Sequence, residues 1–154
     1  AGLTGQELLL DLYCGAGTIG LSMAHKARRL IGVEIIPEAV DNAKENARLN
    51  GIENAEFFCG DAGDAARMLA AQGERPDVVI LDPPRKGCSE DLIRTAVQFQ
   101  PKRIVYVSCD PATLARDLKL FAQLDYPPVE ARPVDMFPAT AHVETVCLLQ
   151  RDKQ

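Results

Sequence analysis

The chain is short of positive charge. Its 154 residues include 17 Lys or Arg against 22 Asp or Glu, a formal net charge of −5. That balance argues against a free-standing nucleic-acid binder driven by charge. No apolar run approaches the ~18 residues that a membrane helix needs. Ala1–Glu7 has neither the basic nor the apolar region of a signal peptide. Histidine is scarce, with only His25 and His142, and the five cysteines at positions 14, 59, 88, 109 and 147 form no CxxC pair. A zinc site, a disulfide framework or any other metal centre therefore lacks a pattern, and reduced thiols in a cytoplasm are the simplest reading. Repeats, low-complexity tracts and linkers are also missing, so one domain over residues 1–154 is expected. With 47% hydrophobic and 25% charged residues, the chain can build an ordinary core and is not disordered.

What is present is an alternation. Leu8–Leu12, Leu30–Glu34, Ala55–Cys59, Val78–Asp82 and Ile104–Cys109 are short apolar runs, read as strands buried on both faces. Helical patterns lie between them. Pro37 opens one and Gly51 closes it, with Ile36, Val40, Ala43 and Ala47 as its apolar stripe. Asp64–Ala71 sets Ala65, Met68 and Leu69 on one side. Ser89 can cap a helix carrying Leu92, Ile93, Ala96 and Val97, and Asp110 one carrying Leu114, Leu118 and Phe121. This is a βαβ repeat, which predicts an α/β, doubly wound, mostly parallel sheet. Val129–Phe137 and Val143–Leu149 have no helix between them and should form an antiparallel hairpin at one edge, for about seven strands in all.

In open α/β sheets ligands bind beyond the carboxyl ends of the strands, so residues just after each strand carry the information. Asp11-Leu12-Tyr13-Cys14-Gly15-Ala16-Gly17-Thr18-Ile19-Gly20 fits GxGxxG between a strand and a helix, where glycines allow close approach of a nucleotide-type cofactor. An NAD reading is open, but Asp11, just before the loop, suits a cationic amine better than a pyrophosphate. Glu34 ends the next strand and can accept from ribose hydroxyls. Asp61 can accept from an adenine amino group or cap the following helix, with nothing to choose between the two. In Asp82-Pro83-Pro84-Arg85-Lys86-Gly87 the prolines stiffen a turn that aims an acid and a base over the sheet. Cys109 ends a strand ahead of a helix N-terminus, whose dipole favours a thiolate while Asp110 opposes it, and reads as a nucleophile. Cys14, Cys59, Cys88 and Cys147 read as packing or incidental. Glu144 begins an apolar strand and by itself reads as an exposed edge residue.

Taken together, DLYCGAGTIGL, LDPPRKG, VSCDPATLARDL and DMFPATAHVETV resemble the RNA 5-methyluridine (uracil-C5) methyltransferases that use S-adenosylmethionine. The last three are specific to that family, and the resemblance runs from Leu8 to Leu149. It implies a class I methyltransferase Rossmann-like fold. It implies Cys109 as nucleophile, Glu144 as base, and Asp82 and Arg85 toward the flipped uracil. It implies Asp11, Tyr13, Gly15, Gly17, Glu34, Asp61 and Asp82 as the cofactor set. The expected reaction is methyl transfer to C5 of a uridine in tRNA or rRNA, with S-adenosylhomocysteine as product. An amino-group methyltransferase using Asp82-Pro83-Pro84 is an alternative, although those usually place an aromatic residue where Arg85 stands. A cofactor-binding module inactive in isolation is another. Family members carry an N-terminal RNA-binding domain and a central domain ahead of this one, so the chain is expected to be the catalytic part of a longer protein. Its RNA partner would then be gripped elsewhere, with no membrane and no metal involved.

Overall fold

The computed structural model describes residues 1–136, 138–140 and 143–151. Seven strands form one sheet: β1 (Leu8–Leu12), β2 (Arg29–Glu34), β3 (Ala55–Cys59), β4 (Val78–Leu81), β5 (Arg103–Ser108), β6 (Pro128–Val134) and β7 (Glu144–Gln150), in the order β3-β2-β1-β4-β5-β7-β6. The first five are parallel. β7 is inserted between β5 and β6 and runs antiparallel to both. The helices are α1 (Thr18–Met23), α2 (Pro37–Leu49), α3 (Ala62–Ala71), α4 (Glu90–Gln98) and α5 (Pro111–Gln123). No helix among the described residues is long and apolar enough to cross a membrane.

β1 and β4 sit at the centre and are buried at every position, as continuous apolar runs require. One face of the sheet packs against α3, α4 and α5 through Leu69, Leu92, Ile93 and Phe121. The other packs against α1 and α2 through Val40, Ala43 and Ala47. Ser89 caps α4, its hydroxyl accepting from Leu92 N at 3.2 Å. Asp110 caps α5, accepting from Ala112 N and Thr113 N at 2.9 and 3.0 Å.

Burial on both faces does not extend to the sheet's margins. β3 is an edge strand in which only Phe57 is buried, and Phe58 is 37% exposed. All seven residues of β6 are exposed, because β6 lies at the far edge. Two helix stripes also differ from the spacing. Ile36 is the N-cap residue of α2 and 53% exposed, outside the buried stripe. Met68 is 42% exposed, since α3 turns Ala62, Ala65, Ala66 and Leu69 inward and begins two residues earlier than Asp64. The sixth strand ends at Val134 rather than Phe137, and Phe137 and His142 lie outside the described residues.

Candidate functional site

The sheet order reverses between β1 and β4, where a crevice opens at the carboxyl ends. Register aligns those ends. Leu12 pairs with Val33 on one side and with Leu81 on the other. The next residues, Tyr13, Glu34 and Asp82, therefore stand at one level. A cavity of about 350 Å³ lies there, lined by Tyr13, Val33, Glu34, Ile35, Ile36, Gly60, Asp61, Ala62, Asp82, Pro84 and Lys86. Four members of the expected cofactor set, Tyr13, Glu34, Asp61 and Asp82, thus come together.

Each is held by a local device. Tyr13 has φ 71°, an uncommon conformation for a residue with a side chain, which costs on the order of 1 kcal/mol. Burial is the main cause that lifts the phenol's pKa above the usual tyrosine value, with Cys88 adding to it. Glu34 Oε2 accepts from Gly15 N at 3.0 Å, tying the glycine loop to β2, while Oε1 accepts from Ile35 N and Ile36 N at 2.9 and 3.0 Å. A carboxylate offers about four acceptor positions, so these bonds leave room for one more donor without rearrangement. Asp61 caps α3 through Oδ1, accepting from Gly63 N and Asp64 N at 2.8 and 3.2 Å. The capping role is thus visible, and the carboxylate still faces the cavity.

Asp11 and the glycines sit beside this cavity rather than in its wall. Asp11 is 1% exposed. Its Oδ2 accepts from Gly20 N at 3.0 Å and so satisfies a free donor in the first turn of α1. Its Oδ1 is buried without a partner. Burial, with Asp82 and Glu34 adding repulsion, pushes the Asp11 carboxyl up to about 7. Gly17 caps α1 at φ 83°, a left-handed conformation that favours glycine. Asn46 of α2 donates to Ala16 O at 3.0 Å and fixes the loop from the far side.

Sequence reasoning missed the apolar wall. Ile35 and Ile36 are 61% and 53% exposed and border the cavity directly after Glu34. Two large apolar residues after an acidic strand end, just before a helix-opening proline, were the available signal. The wall residues fit a nucleoside carrying a cation. They offer apolar surface for a base, acceptors at Glu34 and Asp61, and three carboxylates against the single Lys86.

The second cluster lies one strand further. Ser108 pairs with Thr145. One step on, the antiparallel register brings Cys109 level with Glu144, the first residue of β7. Cys109 and Glu144 are both half-buried. Asp82 is also half-buried, and burial, then the Glu144 charge, raises its carboxyl to about 6. Asp82 therefore stands within electrostatic reach of Glu144. Arg85 is exposed, and its carbonyl accepts from Thr113 Oγ1 of α5 at 3.0 Å. Of the other cysteines, Cys14, Cys88 and Cys147 are buried and Cys59 is exposed.

Comparison with known proteins adds independent findings. The family model described as tRNA (Uracil-5-)-methyltransferase matches residues 3–152. An uncharacterized RNA methyltransferase of Clostridium acetobutylicum is 54% identical over 151 residues, covering 98% of this chain and 33% of the relative. One of Halalkalibacterium halodurans is 52% identical over 150 residues, covering 97% of this chain and 33% of the relative. This chain thus spans about a third of the length of the curated relatives it matches. Among solved structures, the Pyrococcus abyssi tRNA (uracil-54, C5)-methyltransferase in complex with S-adenosyl-L-homocysteine superimposes with a TM-score of 0.81 at 37% identity, over 96% of this chain and 35% of that one. A precorrin-6y C5,15-methyltransferase of Geobacter metallireducens, at 15% identity and TM-score 0.78, shares the fold over 97% of this chain and 82% of that one.

Proposed function

Because the chain belongs to the tRNA (uracil-5-)-methyltransferase family, we propose that it carries out methyl transfer from S-adenosylmethionine to C5 of a uridine in tRNA or rRNA. The observation that supports this reading is the register that sets Cys109 level with Glu144, with Asp82 of the cavity wall within electrostatic reach of Glu144. The rest of the longer protein, with the N-terminal RNA-binding and central domains the resemblance implies, supplies the grip on phosphate that a chain of net charge −5 lacks.

Uracil C5 is too weak a nucleophile to be methylated unaided. The Cys109 thiolate adds to C6 and makes C5 electron-rich. S-adenosylmethionine, when bound, supplies an electrophilic methyl group. After C5 has been methylated, Glu144 removes the C5 proton, the C5–C6 double bond re-forms, and Cys109 leaves. Asp82 would contact the flipped uracil, accepting from its N3–H. The base must leave its stack to reach these residues. Tyr13, Glu34, Ile35, Ile36 and Asp61 would hold the nucleoside part of the cofactor. Asp11 and the Gly15–Gly20 loop would hold the methionine end.

The test is RNA bearing 5-fluorouridine, incubated with S-adenosylmethionine and the longest protein that contains this domain. Fluorine cannot leave C5 as a proton does, so a covalent protein–RNA adduct should accumulate and map to Cys109. Cys109→Ala should abolish both adduct and methylation. Methylation undiminished by Cys109→Ala would overturn the mechanism.

A further inference from the structure

Among the described residues, Asp117 is the most deeply buried charge outside the clusters above. It is 1% exposed, on the inner face of α5 between Leu114 and Phe121. Its Oδ2 takes two hydrogen bonds, from Tyr106 Oη at 2.6 Å and from Cys88 N at 2.8 Å. Its Oδ1 accepts from Arg116 Nε at 2.8 Å. Arg116 in turn donates to Lys86 O at 2.9 Å and Cys88 O at 3.4 Å. Three elements therefore converge on one carboxylate: the turn after β4, the strand that ends just before Cys109, and the helix that follows Cys109.

The turn is shaped to receive it. Gly87 N donates to Pro84 O at 2.8 Å, and Gly87 has φ 73°. A Cβ on Gly87 would lie 2.5 Å from Asp117 Oδ2, so the backbone seats directly on the carboxylate. Asp82 begins this turn and Cys88 ends it. Tyr13 and Tyr106 both influence the Cys88 thiol electrostatically, which links the cofactor cavity to the same network. A buried acceptor with several donors rigidifies its surroundings, because each partner left unmade is costly.

We propose that Asp117 is a positioning residue that locks the Asp82–Cys88 turn against β5, setting Asp82 in register with Cys109 and Glu144. The catalytic part rests on the function proposed above. The locking part does not. Displacing reacting groups by about 1 Å can cost ~100-fold in rate.

The test compares Asp117→Ala, Asp117→Asn and Gly87→Ala. Oδ2 serves both Tyr106 and Cys88, so an asparagine oxygen in that place keeps both bonds and gives up only the one from the exposed Arg116 to Oδ1, which water can replace, whereas alanine keeps none. Alkylation followed by peptide mass spectrometry reads Cys88, 5% exposed, with Cys147, 1% exposed, as the control for general unfolding. In Asp117→Ala and Gly87→Ala, Cys88 should label at least about tenfold faster while Cys147 stays protected, and kcat on RNA should fall roughly 100-fold. Asp117→Asn should stay near wild type in both. Unchanged Cys88 protection in Asp117→Ala would overturn the lock. Equal exposure of Cys88 and Cys147 would reassign Asp117 to general stability. An unmodified protein without activity on RNA would remove the catalytic reading alone, leaving the Cys88 result to decide the lock.

Discussion

Cys109 and Glu144 stand level on neighbouring antiparallel segments, one step past the Ser108–Thr145 pair. They are separated by the whole of α5 and β6 in the chain. A nucleophile that adds at C6 and a base that acts at the adjacent C5 need this kind of proximity, on a shared rigid support rather than on two loops.

Replacement of Glu144 by glutamine should separate addition from release. Cys109 can still add to C6, but the C5 proton has no base to take it. The expected outcome is a covalent adduct on ordinary uridine RNA, with methylation at C5 and little turnover. Denaturing gel electrophoresis with labelled RNA would show it. Turnover near the wild-type rate would exclude Glu144 as the base.

The same substitution should change Asp82. Burial is the larger cause of its raised pKa of about 6, and the Glu144 charge is the second. Neutralising Glu144 should lower the Asp82 midpoint without restoring the model-peptide value. Carboxyl-carbon NMR titration of Asp82 in the two proteins checks this. An identical midpoint in both would mean that the carboxylates do not sense each other.

Asp11 sets a pH dependence of stability. Its folded-state pKa of about 7 lies above the unfolded value near 4, so folding favours the protonated form. Asp11 therefore penalises folding progressively as pH rises through 4 to 7, with the full penalty above 7. Asparagine can keep the bond to Gly20 N without the charge. Asp11→Asn should gain stability over wild type between pH 5 and 8, by a few kcal/mol, on the order of 3, at the upper end. Thermal melts across that range measure the difference, and parallel profiles would refute it.

Ile35 and Ile36 should matter for ligand binding and not for folding. Both are more than half exposed, so truncation removes little buried surface from the free protein. A bound nucleoside would cover them. Ile35→Ala with Ile36→Ala should weaken S-adenosylhomocysteine binding by roughly tenfold, equivalent to ~1.4 kcal/mol, with a nearly unchanged melting temperature. Calorimetry supplies the first quantity and a thermal scan the second. Unchanged affinity would place the ligand elsewhere.

Much of the architecture was legible because burial leaves a plain mark. Leu8–Leu12 and Val78–Leu81 sit between helices on both sides and read as uninterrupted apolar runs. Ser89 and Asp110 announced helix starts through their capping chemistry. Ile36 misled because its spacing continues the stripe of α2, and spacing does not tell a helical residue from the N-cap beside it. Phe58 misled because the sequence carries no statement of which strand lies at an edge. Asp117 was hidden for the opposite reason. An acid among leucines looks like a solvent-facing position until Tyr106 and Cys88 are seen to enclose it. The meeting of Asp82 with Glu144 depends on β7 entering beside β5, an order that no local pattern encodes.

The insertion of β7 between β5 and β6 also has a bearing on time. β6 precedes β7 in the chain, yet β6 joins the sheet only through β7. During synthesis on the ribosome, the strand ahead of Cys109 emerges and can dock on β4 before Glu144 has left the exit tunnel. On the mechanism proposed above, a chain lacking β7 would hold a cavity and a thiol but no base, and a pyrimidine methylated on it would stay joined to Cys109. On that proposal, completing the sheet is the event that would turn a one-way trap into a catalyst that turns over.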